Sequence, residues 1–551
     1  MIQHKTIDGV LLRDMAIAGA QLLEKNRDLV DALNVFPVPD GDTGTNMSLT
    51  MQSAIREISS KEFLRADEAA AAYAKGALRG ARGNSGVITS QLLRGFSKAI
   101  AGLERITPVD FAKALLKGSE MAYKAVMKPK EGTILTVARV IAEEAMVQAQ
   151  KAPDDYEALF AVIMRVGENI LKKTTDMLPA LKQANVVDSG GRGLLFIYAG
   201  YAAVLRGESI DDILEAAAAE ADDGACEGKG EITYTYCLSF TIRETKEDVT
   251  ENDLDSYRRR LNRIGDHVSV SGEVPEMRVH VHTDHPGNAI EYATELGDLV
   301  DFDLKNLRDL KRKLEGEEMP AAAEPVEEKK EPSKEYGMVT VSLGEGFTQI
   351  FRDLQVDTVV EGGQTMNPSI EDLLNAIEQT DARTVFVFPN NGNVVMAAQQ
   401  AAELSSKKVF VIPTKNVAMG IAAAVAFQPD SSAEENAANM EEAAQHVKTG
   451  TVTYAVRDSE FNGVQIKQGD YIGLHNGQIS YSGASVHDVA MEMMKAVVTD
   501  DDELITVYYG ADTTEEDAQA LADEIGSVYD HCDVECHMGG QPLYYYLISV
   551  E

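Results

Sequence analysis

No stretch of the 551-residue sequence approaches the roughly 18 uncharged apolar residues that a membrane-spanning helix requires. The start, MIQHKTIDGVLLRDM, scatters charge and lacks an apolar core followed by a small-residue cleavage site, so no secretory signal is expected. Cysteine is scarce. Cys226, Cys237, Cys532 and Cys536 stand at irregular spacing in a long chain, which argues against a disulfide framework and for reduced thiols. Basic residues are too few to balance the acids, 51 against 89, and the formal charge of -38 repels nucleic-acid backbones and anionic lipid surfaces. The expectation is a soluble, cytoplasmic protein with no nucleic-acid partner and no transmembrane segment. A nucleotide is still compatible with this charge, because divalent metal and backbone N–H groups can hold a polyphosphate without a basic patch.

A chain of this length exceeds one hydrophobic core and reads as modular. Two stretches break the periodic pattern: AAAAEADDGACEGKGE at 216–231, and EGEEMPAAAEPVEEKKEPSKEY at 315–336, where Pro320, Pro325 and Pro332 sit among dense charge. The second is expected to be a mobile linker. Before them, apolar residues recur three and four apart in VLLRDMAIAGAQLLEKN, FAKALLKGSEMAYKAV and ILTVARVIAEEAMVQA, a helical period with almost no strand signal. ITYTYCLSFTIRE, HVSVSG and MRVHVHT alternate β-branched and polar residues around the helical NDLDSYRRRLNRI, which suits a small α+β domain. From 337 onward, short apolar runs alternate with helical stretches, the pattern of βαβ units and a mostly parallel sheet. The expected order is an all-α domain (1–208), an α+β domain (209–318), an acidic proline-containing linker (319–336) and an α/β domain (337–551).

In PDGDTGTNM, Asp40 and Asp42 flank Gly41, so one turn could aim two carboxylates at a single point. Unpaired they would repel, and a hard divalent cation such as Mg²⁺ relieves this with oxygen ligands. Thr43, Gly44, Thr45 and Asn46 then offer hydroxyls, an amide and free N–H groups at a helix start suited to a polyphosphate. An Asp-Gly turn with a capped helix is the plainer alternative for this segment alone. GARGNSG (80–86), KPKEGTILT (128–136) and VVDSGGRGL (186–194) repeat the theme of small polar residues ahead of helices, and GARGNSG is no Walker A loop because no Gly-Lys-Ser/Thr ends it.

This combination of motifs resembles the L domain of dihydroxyacetone kinases, and more closely the catalytic subunit of bacterial fatty acid kinase, over the whole chain to the ending GGQPLYYYLISVE. The resemblance implies an antiparallel helical barrel that takes ATP (leaving ADP) and two Mg²⁺ ions at one end. By matching positions, Asp40 and Asp42 are the metal-binding, catalytic carboxylates, and Thr43 to Asn46 wrap the phosphates. Asn84, Ser85, Thr133, Ile134, Asp188, Ser189 and Gly190 are further nucleotide contacts. A third metal-binding aspartate of dihydroxyacetone kinases is replaced here by Asn34, offset by one residue. The implied reaction is phosphorylation of a fatty acid presented by a separate DegV-family fatty-acid-binding protein, giving an acyl phosphate for phospholipid synthesis, within a homodimer. A carboxylate acceptor needs no general base, and none is evident. A small-polyol kinase and a non-catalytic nucleotide-binding scaffold are the alternatives.

In RVHVHTDHPGN, His280 and His282 are two apart and share a strand face, and Cys237 in YTYCLSF could join them. Two imidazoles and a thiolate suit Zn²⁺, while alternating histidines on a half-buried strand are equally surface or hydrogen-bonded core. The resemblance implies a Cys/His/His zinc site here, with His267 and His285 in reserve. HCDVECH (531–537) is read as a short strand that separates Cys532 and Cys536 from His531 and His537, with no second zinc site. The resemblance makes the last domain DegV-like and a docking platform for the carrier. MEMMKAV (491–497) is assigned to core packing.

Overall fold

The periodic apolar segments of the first 208 residues all become helices, and local signals set their ends. The structure, a computed structural model, describes residues 4–35, 41–59, 62–208, 234–243, 251–273, 276–294, 296–306, 332–363, 366–455, 459–461, 464–467, 469–475 and 478–551. The helices are α1 (Gly9–Lys25), α2 (Arg27–Ala32), α3 (Thr43–Ser59), α4 (Ala66–Arg79), α5 (Gly83–Ala99), α6 (Pro108–Ala125), α7 (Ile134–Lys151), α8 (Tyr156–Met177), α9 (Pro179–Ala184) and α10 (Ser189–Leu205). Thr107 and Asp110 form a reciprocal capping box that starts α6, with Pro108 in its first turn where a missing N–H costs nothing. Asp155 caps α8 one way, its carboxylate accepting the Ala158 N–H.

One apolar core runs through these helices, from Ile7 and Leu23 through Met47, Met51, Phe111 and Tyr156 to Leu205. Within it the hydroxyls of Tyr73 and Tyr201 lie 3.1 Å apart and satisfy each other. Glycine lets helix backbones touch: a Cβ on Gly200 of α10 would lie 2.5 Å from the Cα of Gly19 on α1. A Cβ on Gly95 of α5 would lie 2.5 Å from the Cα of Gly118 on α6. Among the described residues, no helix is long and apolar enough to cross a membrane.

Residues 218–330 form a compact unit of their own. Its described elements are β1 (Tyr236–Arg243), α11 (Glu251–Ile264), β2 (Gly265–Glu273), β3 (Glu276–Thr283), α12 (Pro286–Thr294) and β4 (Asp298–Asn306). The sheet is antiparallel in the order β2-β3-β1-β4. Leu238, Phe240, Ile242, Val279 and Val281 alternate along β1 and β3 and bury one face against Tyr257 and Leu261 of α11. This is the α+β texture that the sequence carries.

Residues 1–217 and 331–551 make up the other unit. Its second part holds β5 (Lys334–Ser342), α13 (Glu345–Asp353), β6 (Thr358–Glu361), α14 (Ile370–Gln379), β7 (Ala382–Phe388), α15 (Val395–Leu404), β8 (Lys408–Val411), α16 (Val417–Val425) and α17 (Ala433–His446). Then come β9 (Lys448–Tyr454), β10 (Ser459–Phe461), β11 (Val464–Ile466), β12 (Tyr471–His475), β13 (Gln478–Gly483), α18 (Val486–Val497), β14 (Leu504–Tyr509), α19 (Glu515–Val528), β15 (Asp533–Met538) and β16 (Tyr546–Val550).

The expectation of a mostly parallel sheet holds for half of this region. The sheet β6-β5-β7-β8 is parallel throughout, with a helix in each crossover. The second sheet, β13-β12-β9-β16-β14-β15, is antiparallel at every pair except β14–β15. The sequence signal for this is Asn476-Gly477, the only two residues between β12 and β13: a parallel pair needs a crossover of a dozen residues, whereas Asn-Gly favours a hairpin. Met493 and Met494 of α18 are buried in this core, as expected of MEMMKAV. Cys532 and Cys536 are free thiols, while His531 and His537 are exposed and bonded to the Thr499 carbonyl and to Glu535.

The α/β region seats on the turn between α4 and α5. Ala81 and Val87 share a core with Val339, Ile370, Leu373 and Val394. The Ile370 N–H donates to the Ala81 carbonyl at 3.1 Å, and the Gln91 amide donates to buried Gln400 at 2.7 Å. Of the expected 319–336 linker, all but residues 332–336 lies outside the described residues.

The contact between Gly19 and Gly200 predicts that Gly200→Leu lowers stability by about 1–3 kcal/mol or more, because two helix backbones must separate. Thermal unfolding reads this directly, and an unshifted transition would contradict the close approach.

Candidate active site

Four helix N-termini meet in the helical region: those of α3 at Thr43, α5 at Gly83, α7 at Ile134 and α10 at Ser189. The Ser189 hydroxyl donates to Thr43 Oγ1 at 3.2 Å, and Ser85 Oγ reaches the Thr43 carbonyl at 3.5 Å. Asp188 caps α10, accepting the Gly191 N–H at 2.7 Å, and its carboxylate also accepts the backbone N–H of Ile134 at the start of α7. A Cβ on Gly190 would stand 3.2 Å from the Ile134 Cβ, so these two ends are in contact. Each helix start carries roughly half a positive charge and N–H groups that its own helix leaves unpaired, so their convergence favours an anion nearby.

The turn before α7 is fixed from behind. Gly132 has φ 86°, a left-handed conformation suited to glycine. Its N–H donates to Thr136 Oγ1 at 2.9 Å, and that hydroxyl donates to Glu131 at 2.6 Å. Tyr123 and Arg139 complete the shell around Glu131, each at 2.9 Å. Asp188 is buried, and its own N–H donates to Thr174 Oγ1 at 3.0 Å. Burial pushes its carboxyl up to about 7, although the N–H groups of Gly191 and Ile134 pull the other way.

Beside these helix ends lies an acidic centre. Asp31, at the end of α2, accepts the Thr45 N–H at 3.1 Å, the Thr45 hydroxyl at 2.7 Å and the Gly44 N–H. It therefore caps α3 from across a loop, and the N–H groups of Gly44 and Thr45 are engaged, where the sequence pattern alone suggests free donors. Burial raises the Asp31 carboxyl, the bonds from Thr45 and Gly44 lower it, and the charge of Asp42 raises it again. Asp42 Oδ2 accepts the Asn367 side-chain amide at 2.6 Å, and the same amide nitrogen lies 3.4 Å from Asn46 Oδ1. Asn34 is buried next to Asp31, its N–H on the Asp31 carbonyl at 3.0 Å.

The Asp42 carboxylate, with the side-chain amides of Asn46 and Asn367 close to it, offers hard oxygen donors of the kind that Mg²⁺ takes. Buried Asn367 Oδ1, without a hydrogen-bond partner among the described residues, adds an oxygen with unused acceptor capacity. Among the described residues, no three His, Cys, Asp or Glu side chains gather as a metal cluster. Asp40 lies outside the described residues.

Of the residues expected to contact nucleotide, Thr43, Ser85, Ile134, Asp188, Ser189 and Gly190 come together as described. Asn84 instead donates to Asn393 of the α/β region at 2.8 Å. Thr133 caps α7 by position, with its hydroxyl on the Lys130 carbonyl at 2.8 Å. Asp31 and Asn367 were missed. Asp31 lies three residues before Asn34 and 14 before Thr45, whose N–H and hydroxyl it accepts. Asn367 lies in GGQTMNPS, which ends at the helix cap Ser369.

In the middle unit, the rings of His280 and His282 lie 5.2 Å apart, and both residues are half-buried. The register sets residue 237 opposite His282 and residue 239 opposite His280. The side chains of Cys237 and His267 lie outside the described residues, and His285 is exposed beyond the strand.

Protein YloV of Bacillus subtilis (strain 168) is 42% identical to this chain over 99% of it and 100% of that protein. Uncharacterized protein SAR1202 of Staphylococcus aureus (strain MRSA252) is 39% identical over 99% of each. Family models for the C-terminal and middle domains of FakA-like fatty acid kinase proteins match residues 337–551 and 233–314, and the DAK2 domain matches 37–203. The chain belongs to the FakA-like fatty acid kinase family. Among solved structures, a fatty-acid-binding DegV family protein from Thermus thermophilus is similar at 15% identity and a TM-score of 0.28, covering 39% of this chain and 99% of that one. In this FakA-like chain the DAK2 match contains all four converging helix starts and Asp42, whereas Asn367 belongs to the C-terminal match.

A carboxyl raised by burial has a definite sign in the pH dependence of stability. Asp188 binds its proton more tightly in the folded state, so its contribution is present below its ordinary value near 4 and is lost as pH rises to about 7. Relative to Asp188→Asn, the wild type should lose up to about 1.4 kcal/mol per pH unit between pH 5 and 7. Parallel melting curves check this, and a pH-independent difference would contradict it.

Proposed function

We propose that this chain is the nucleotide-binding, catalytic component of a fatty acid kinase. It transfers the γ-phosphoryl group of ATP to the carboxylate of a fatty acid held by a separate DegV-family fatty-acid-binding protein, giving an acyl phosphate for phospholipid synthesis. The observation that carries this reading is the meeting of four helix N-termini beside the Asp42 centre. Family membership supplies the substrate class. One acceptor oxygen bonds to the γ-phosphorus, the bond from that phosphorus to the β–γ bridging oxygen breaks, and ADP leaves with its electron pair. No proton moves, so no general base is needed.

Asp42, Asp40 and Asn34 would hold Mg²⁺, which when bound neutralises phosphate charge. The chain's own contribution is positioning. The hydroxyls of Thr43, Ser85 and Ser189 and the starts of α5, α7 and α10 present dipoles to the phosphates, each helix end worth about 0.3–1 kcal/mol and more where water is excluded. Asp31 and Asp188 hold the α3, α7 and α10 starts in place through hydrogen bonds.

Hydroxylamine intercepts acyl phosphates. The full chain with Mg-ATP and a lipid-loaded carrier is expected to yield an acyl hydroxamate that disappears without Mg²⁺ and in Asp42→Ala. ADP release with dihydroxyacetone and no hydroxamate would replace the fatty acid reading with a polyol kinase. Tight ATP binding without turnover would leave a nucleotide-binding scaffold.

We further propose Zn²⁺ on Cys237, His280 and His282. The histidine ring spacing and the register that sets residue 237 opposite His282 support it. Metal analysis of the full chain should find zinc that is lost in Cys237→Ser, and a zinc-free wild type would remove the site.

A further inference from the structure

We propose that Asn367 is a positioning residue that the C-terminal α/β region supplies to the Asp42 centre, so that cation and nucleotide binding is coupled to the seating of that region on the helical one. This rests on reading the centre as a divalent cation and nucleotide site. The bond from Asn367 Nδ2 to Asp42 Oδ2 is 2.6 Å, and Asn367 is 3% exposed. A carboxylate accepts only, so the amide must turn its nitrogen toward Asp42. Its oxygen is thereby directed elsewhere and finds no hydrogen-bond partner among the described residues. A buried acceptor left open beside a carboxylate is what a cation, its bound water or a nucleotide hydroxyl would complete.

The loop that carries Asn367 is held on the helical region at several points. Arg82 donates to the Asn367 carbonyl at 2.7 Å and pairs with Asp372 at 3.4 Å. Ser369 and Asp372 form the capping box that starts α14, and Ser369 also forms a β-bridge with Arg82. Gly83, at φ 56°, makes room: a Cβ there would lie 2.5 Å from Asn46 Nδ2 and 3.4 Å from Asn367 Nδ2. The helical region thus keeps a glycine where the amides of Asn46 and Asn367 meet. If Asn367 orients Asp42, whatever binds at Asp42 favours the seated arrangement, and seating favours binding by the same factor.

The test is Mn²⁺ binding to the full chain in the presence of ADP, followed by electron paramagnetic resonance, a readout independent of turnover. Asp42→Asn should lose the site, and wild-type affinity in that variant would refute the parent reading itself. Asn367→Ala should bind Mn²⁺ about tenfold more weakly while keeping a single cooperative melting transition, the scale of removing a residue that orients a ligand. Affinity within twofold of wild type, alongside loss in Asp42→Asn, overturns the proposal. Gln400→Ala weakens the same interface without touching Asp42 and should lower Mn²⁺ affinity less than Asn367→Ala does; a loss equal to that of Asn367→Ala would assign the effect to docking in general and overturn the positioning role. Should Asn367→Ala fold poorly, Asn367→Leu keeps the bulk and removes both the donor and the open oxygen. Mn²⁺ should then raise its melting temperature less than that of wild type, and an equal rise counts against the proposal.

Discussion

The meeting of four helix N-termini is the constraint on which the rest of this architecture depends. Positive helix ends repel one another and leave N–H groups without partners, so they come together only where something negative answers them. Part of the answer is built in. Asp31 caps α3, and Asp188 bridges the starts of α7 and α10. Asp188 sits so deeply that burial pushes its carboxyl up to about 7. That leaves an anion with several oxygens as the natural complement, and Asp42 as the place where a cation would accompany it. Under the proposed function, a net charge of -38 is compatible with a polyphosphate, because backbone N–H groups and a divalent metal would hold it locally without lysine and arginine.

The second organising feature is that the site is not confined to the helical region. The DAK2 match ends at residue 203, yet the amide bonded to Asp42 comes from residue 367. Ala81, Val87, Gln91 and Arg82 form a continuous apolar and polar seat for the α/β region directly behind the α5 start. A shift of that seat would therefore move Arg82 and Asn367 at the edge of the site.

Much of this was legible in the sequence. Helix positions followed from apolar spacing of three and four, and the middle-unit strands from alternation, since both periods reflect burial of one face. Motif segments ahead of helices located the α5, α7 and α10 starts in addition to the one at Asp42, because small polar residues mark helix entry whatever the tertiary fold. The antiparallel second sheet was not read, although Asn476-Gly477 carried the signal. Asp31 escaped because it caps α3 across 14 residues instead of from the adjacent position. Asn367 escaped because its partner is 325 residues away, and local pattern holds no information on such a contact. The bonding of Asn84 to Asn393 was hidden for the same reason.

Hydrogen exchange of the full chain, with and without Mg-ATP, tests the convergent site most directly. The account predicts added protection in the first turns of α3, α5, α7 and α10 together, since one polyphosphate would engage four segments distant in sequence. Protection confined to one of these turns, or found only elsewhere in the chain, would contradict it.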